Sequence, residues 1–196
     1  MQTKTSIKLF LLTLTIFGVL VISLTLTSQF QAKPVENTSL AFDSNIQFDI
    51  PVRLKIPKID VDANINPMGI TQDGAMEAPV GGKDVGWYKY GAFPGEEGTA
   101  VIAGHFGRWK NGDGSVFDRL SSLNEGDIFY VEDKNGITIS FKVREIRNFD
   151  PEADSAEVFS STDGKSHLNL ITCQGAWNKE TKSYPARLVV FSDKNE

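Results

Sequence analysis

The chain has 196 residues, of which 40% are hydrophobic and 23% charged, a balance that suits one globular domain with a short appendage and excludes disorder throughout. A formal net charge of -5 offers no basic face to a phosphate backbone, so nucleic acid is excluded as a partner. A single cysteine, Cys173, and two histidines, His105 and His167, exclude an internal disulfide and a multi-thiolate zinc site, leaving only oxygen ligands for any hard cation.

In chain order, the first element is Ile7 to Leu26, IKLFLLTLTIFGVLVISLTL, whose only charge is Lys8. As a helix this run covers about 30 Å, the thickness of a bilayer's hydrocarbon core. Its Ser and Thr hydroxyls can bond back to helix carbonyls. Lys4 and Lys8 lie at its front, so the positive-inside rule leaves the amino terminus in the cytoplasm and sends the rest outside. A cleavable signal peptide is the other reading, but the run exceeds a usual signal core and no good small-x-small site follows. The expected organisation is a cytoplasmic tail at 1–6, a transmembrane signal anchor at 7–26, an extracellular linker at 27–48 and an extracellular domain at 49–196. The linker is polar and lacks sustained periodicity.

From Pro51 onward, short β-type runs alternate with Gly, Pro, Asn and Asp turn signals, which predicts an all-β sandwich or barrel. VRLKIP at 52–57 opens it. TAVIAGH at 99–105 is an apolar strand ending on a histidine. SVFDRLSSL at 115–123 spaces Val116, Phe117, Leu120 and Leu123 as one face of a short helix with Ser115 as its cap. IFYV at 128–131 and ITISFKVR at 137–144 predict a hairpin, the second strand being half-buried with Ile137, Ile139, Phe141 and Val143 on one face. Asn135-Gly136 makes the turn, because both residues tolerate positive φ. HLNLITC at 167–173 is an apolar strand ending on the cysteine, and YPARLVVF at 184–191 starts a strand near Arg187.

Three of these residues carry chemistry. A lone thiol outside the cytoplasm is exposed to oxidation, and Cys173 sits where an apolar strand gives way to Gln174-Gly175 and a polar loop, the setting of a partly exposed nucleophile. A small buried hydrophobe is the other reading. His105, after Ala103-Gly104, has the same strand-end setting and is a candidate proton-handling group, although a lone histidine is commonly structural. His167 starts the strand that ends at Cys173, about 20 Å away if extended, and is the weaker partner. Arg187 follows the cysteine by 14 residues, so a hairpin would set the two side by side. Its fixed donors can stabilise charge on a carbonyl oxygen under attack, the other reading being a solvated cation.

GH at 104–105, LITC at 170–173 and RLVV at 187–190, in that order, resemble the signature segments of the sortase family, over about Pro51 to Ser192. GDGSVFDRL, NEGD and LITCQGAWN are most similar to sortases without a pilin-type lid. In some lid-less subgroups the arginine directly follows the tyrosine, whereas here Pro185 and Ala186 separate Tyr184 from Arg187.

The resemblance implies a closed eight-stranded β-barrel with one or two short helices, in which His105, Cys173 and Arg187 converge on a groove. It implies cleavage of an LPXTG-like sorting signal through a thioacyl-enzyme on Cys173. Arg187 would steady the oxyanion or position the peptide, and His105 would protonate the leaving amine. The acyl group passes to an amine acceptor, usually a cell-wall precursor, with no required cofactor. Some sortases bind calcium through loop carboxylates such as Glu96, Glu97, Glu152, Asp154 and Glu157, but exposed carboxylates are usually just solvated. Trp177 lies in the loop after the nucleophile, where it can touch substrate. For Trp87 and Trp109, groove and core positions are both open.

Two other classes remain. Papain-like wall hydrolases place cysteine before histidine, which does not occur here, and L,D-transpeptidases carry an arginine or asparagine within a few residues of the cysteine, where this chain has no arginine. The non-enzymatic alternative is a membrane-tethered β-barrel binding module in which Cys173 only packs.

Overall fold

The structure is a computed structural model that describes residues 48–109 and 112–195. The expected cytoplasmic tail at 1–6, the anchor at 7–26 and nearly all of the linker lie outside the described residues. Among those described, no helix is long and apolar enough to cross a membrane.

Among the described residues eight strands form: β1 (Pro51–Ile56), β2 (Val61–Met68), β3 (Val85–Tyr88), β4 (Gly98–Gly104), β5 (Ile128–Asp133), β6 (Thr138–Phe149), β7 (Ser166–Gln174) and β8 (Ala186–Lys194). They close into a barrel in the order β1-β2-β3-β4-β7-β8-β6-β5. The pairs β2/β3 and β4/β7 are parallel and the rest antiparallel, with β1 against β5 completing the circuit. The sandwich alternative is thereby settled in favour of the barrel.

Period-two alternation fills the interior. Val61, Ala63 and Ile65 point inward from β2, Phe129 and Val131 from β5, and Phe141 and Val143 from β6. Phe129 and Phe141 are direct cross-strand partners, and their rings stack with centroids 5.7 Å apart. Strands β4, β7 and β8 read differently, as unbroken apolar runs, because both of their faces are covered. Leu168, Leu170, Leu188 and Val190 join the interior. Val189 and Phe191 pack outside against Val158, which lies on a one-turn helix, Ala156–Phe159, in the β6–β7 connection.

Two local expectations are corrected. Residues 115–123 do not form an α-helix. Asp118 N donates to Ser115 O, Leu120 N to Phe117 O and Leu123 N to Leu120 O, all three-residue turns that culminate in a 3-10 turn at Leu120–Ser122. A three-residue turn stacks Phe117, Leu120 and Leu123 on one side, so the spacing that suggested a helix is satisfied by the tighter coil. Ser115 does not cap; its hydroxyl donates to Gly107 O at 2.6 Å. In the β5–β6 turn only Gly136 takes positive φ, at 81°. Asn135 instead donates its amide to Asp133 Oδ1 at 2.8 Å.

Candidate active site

Strand alternation decides where the three reactive side chains go. On β7, Leu168, Leu170 and Thr172 face the interior, so Asn169, Ile171 and Cys173 face outward; on β8, Leu188 and Val190 face inward, so Arg187 and Val189 face outward. Ala103, Ile171 and Val189 are level across β4, β7 and β8, and form an apolar row. One step along, Cys173 is directly opposite Arg187. His105 follows β4 directly, two residues beyond Ala103, the last β4 residue paired with β7, and it lines the same groove as Cys173 and Arg187.

These residues line a groove of about 520 Å³. One wall is the segment from Ile70 to Pro79 between β2 and β3, and the other is the β6–β7 connection with Phe149, Pro151, Val158 and Phe159. All three candidate residues line it. His167 does not: at the far end of β7 it is buried, with Nδ1 2.7 Å from Asp193 Oδ1 and Nε2 2.9 Å from Asp163 Oδ1.

Cys173 is half-buried, and burial pushes its thiol above the ordinary value while the Arg187 charge pulls against that shift. Arg187 donates to Ala186 O at 3.3 Å and to Tyr184 O at 3.5 Å, and none of the ion pairs among the described residues includes it. Its guanidinium therefore keeps donors available beside the sulfur.

The His105 ring is held from two sides. Nε2 lies 2.8 Å from Pro79 O, and the indole of Trp109 lies 4.7 Å away, centroid to centroid. Its backbone carbonyl accepts Phe117 N at 3.0 Å. Gly104, just before it, is required: the Phe117 ring occupies the space that a Cβ there would take. The loop that follows is organised by Asp118, whose carboxylate accepts Gly107 N at 2.6 Å and Ser115 N at 3.0 Å.

Sequence reasoning missed Thr172, whose buried hydroxyl donates to Gly104 O at 2.7 Å, and Pro79, whose part is played by a backbone carbonyl with no side-chain signature. Of the tryptophans, Trp87 is core, Trp109 packs on His105, and Trp177 is exposed and meets Tyr184 edge-on at 5.0 Å. Glu157 is committed to Arg147 at 2.8 Å, Asp154 Oδ1 accepts Ala156 N, and no three acidic, histidine or cysteine side chains among the described residues form a metal-holding group.

A sortase-domain family model matches residues 54–195, well over half of the chain. Among solved structures, that of Streptococcus agalactiae sortase C1 complexed with MTSET is 24% identical, covering 74% of this chain and 67% of that one with a TM-score of 0.57. A lid mutant of Corynebacterium diphtheriae sortase A is 23% identical, covering 79% and 74% with a TM-score of 0.59. Sortase C from Clostridium perfringens SM101 is 23% identical, covering 78% and 73% with a TM-score of 0.56. At these identities the likeness is one of fold. No curated protein sequence matches the chain.

Proposed function

The chain belongs to the sortase family, the sorting-signal transpeptidases, and we propose that it cleaves an LPXTG-like signal at the groove and transfers the protein to an amine of the cell wall, with Cys173, His105 and Arg187 as its catalytic residues. The observation that carries this reading is Cys173 directly opposite Arg187 on adjacent strands, in an apolar groove that His105 also lines.

The apolar row Ala103–Ile171–Val189 and the groove walls suit an extended, largely apolar peptide, held so that its scissile carbonyl meets the sulfur. Cys173 attacks as the thiolate, and Arg187 stabilises the negative charge developing on the carbonyl oxygen. The tetrahedral species collapses as the C–N bond breaks, His105 gives a proton to the leaving amine, and a thioacyl-enzyme remains. An incoming amine then loses a proton to His105 and forms the new amide while the sulfur departs. The acyl bond is conserved throughout, so no external energy source is needed. Burial holds the resting thiol protonated, so its proton passes to His105 as the sulfur attacks and becomes the proton that the imidazolium gives the leaving amine, while the neighbouring Arg187 charge offsets part of the cost of ionising the thiol.

The apolar run at 7–26 supports a single-pass anchor with a cytoplasmic amino terminus, which sets the catalytic domain outside the cell near its acceptors.

The test is to incubate the full-length chain in detergent with a library of LPXTG-like peptides and an amine, and to follow adducts by mass spectrometry. A thioacyl adduct on Cys173 and a transfer product are expected, both lost in Cys173→Ala, with transfer falling by about 10²–10⁴-fold in His105→Ala. If no peptide acylates the chain and the folded thiol is closed to small alkylators, the binding-module reading replaces this one.

A further inference from the structure

The contacts of the His105 ring specify more than its presence in the groove. Resting on the proposed role of His105 in proton transfer, we propose that Pro79 and Trp109 are positioning residues that lock its imidazole with a proton on Nε2. Nδ1 is then the atom that exchanges protons with the substrate amines.

A peptide carbonyl can only accept, so the 2.8 Å contact between Nε2 and Pro79 O requires Nε2 to donate. That holds for the neutral ring and for the imidazolium. The neutral ring therefore carries its lone pair on Nδ1, and the second proton binds there. When the cation acts as an acid, releasing the Nδ1 proton leaves the ring in its hydrogen-bonded tautomer. Releasing the Nε2 proton would turn a bare nitrogen toward a carbonyl oxygen. In the first half-reaction the Nδ1–H bond breaks, and the proton goes to the nitrogen whose C–N bond is breaking. In the second, the attacking amine gives a proton to Nδ1 as its new C–N bond forms and the C–S bond releases the Cys173 thiolate.

Trp109 holds the ring at this angle. Its indole lies 4.7 Å from the imidazole, tilted by 44°, and backs onto Gly82, where a Cβ would fall 2.8 Å from its ring. Two main-chain hydrogen bonds fix the indole's backbone, Trp109 N donating to Asp113 O and Gly112 N to Trp109 O, each at 2.8 Å. The two sides of the clamp are stitched together by Val116 N donating to Gly82 O at 2.7 Å and Lys83 Nζ to Gly114 O at 2.6 Å. The segments that carry Pro79 and Trp109 are thus bonded to one another beside the imidazole. The arrangement is the general one of a base oriented by a third group, here a main-chain oxygen in place of a carboxylate.

The test uses the full-length chain labelled with ¹⁵N at histidine, which gives two ring systems, assigned through His105→Gln. The expected spectrum at neutral pH shows a pyrrole-type Nε2 and a pyridine-type Nδ1 for His105, with its Nε2 proton protected from solvent exchange. Trp109→Ala and Gly82→Ala should lose that protection and lower kcat by about 10- to 100-fold, with KM nearly unchanged. Trp109→Phe should retain the protection and most of the rate. The buried His167 ring, at the other end of β7, reports in the same spectrum that each variant is folded. A proton on Nδ1 of the neutral ring, an unprotected Nε2–H in the parent chain, or a full kcat in folded Trp109→Ala each overturns the proposal. The ring readout needs no turnover, so a chain that transfers no peptide yet shows the locked tautomer refutes the proposed reaction and not the clamp.

Discussion

Thr172 Oγ1 donates to Gly104 O at 2.7 Å in the barrel interior, joining the residue before the candidate nucleophile to the residue before the candidate acid. The β4/β7 ladder ends at Ala103 and Ile171, so this side-chain bond continues the association one step further, toward the candidate residues.

Thr172→Val keeps the shape and removes the donor, leaving the Gly104 carbonyl unsatisfied in a buried position. The expected loss of stability is about 1–3 kcal/mol by urea denaturation. Transfer rate should fall by about tenfold or more, because the two proposed catalytic side chains lose their common reference. Thr172→Ser should recover both. Unchanged kinetics in Thr172→Val would show that the strands hold the register unaided.

Alkylation of Cys173 by iodoacetamide against pH should show a midpoint above that of a free cysteine, since burial outweighs the Arg187 charge. Arg187→Gln should move it higher and Arg187→Lys should hold it near the parent value. The same shift affects folding. The native thiol is held above its unfolded value, so this stabilisation is complete below the ordinary thiol range and is lost as pH rises through the folded value. Cys173→Ala should abolish that alkaline decline in thermal midpoint.

Asp133 is almost wholly buried at the end of β5, and its carboxylate accepts Asp49 N at 3.0 Å and the amides of Asn135 and Ile137 at 2.8 Å each. Burial alone would raise its pKa, but the three amides together outweigh burial and hold it below the usual carboxylate range. Its contribution is present above that range and lost as pH falls through the folded value. Asp133→Ala should cost about 1–3 kcal/mol through the unsatisfied amides, and the variant should lose less stability in acid than the parent. An unaltered acid transition would show that the turn does not depend on this charge.

His167 bridges Asp163 and Asp193 at the end of β7 remote from Cys173. Its hydrogen bond, with help from Lys165 N, holds the Asp163 carboxyl far below the usual range, so this part of the stability is present at neutral pH and lost only in strong acid. His167→Gln should lower the thermal midpoint at neutral pH and flatten its acid dependence, while the rate per folded molecule stays at the parent value. A large loss of kcat in a folded variant would place His167 in the chemistry after all.

Much of the site was legible because apolar runs are conspicuous and end abruptly. TAVIAGH and HLNLITC stop on His105 and Cys173, and both became strands ending within a residue of those positions. The 115–123 helix was misread because an i, i+3, i+6 apolar spacing is shared by α-helical and 3-10 coils, and hydrophobicity alone does not separate them. Pro79 was invisible because its contribution is a backbone oxygen, which every residue possesses. Thr172 was hidden inside an apolar run, where a hydroxyl gives no sign of its partner.

By itself the sequence determined the class of the fold, the strand ends and the kinds of chemistry available, since these follow from local periodicity and residue type. Tertiary structure alone decided that β4 lies in parallel beside β7, across more than sixty residues of intervening chain, whereas the β7–β8 hairpin was already legible in the spacing of Cys173 and Arg187. That adjacency, with strand alternation, is what turns three separate side chains outward into one groove. It depends on how the barrel closes, which no local pattern encodes.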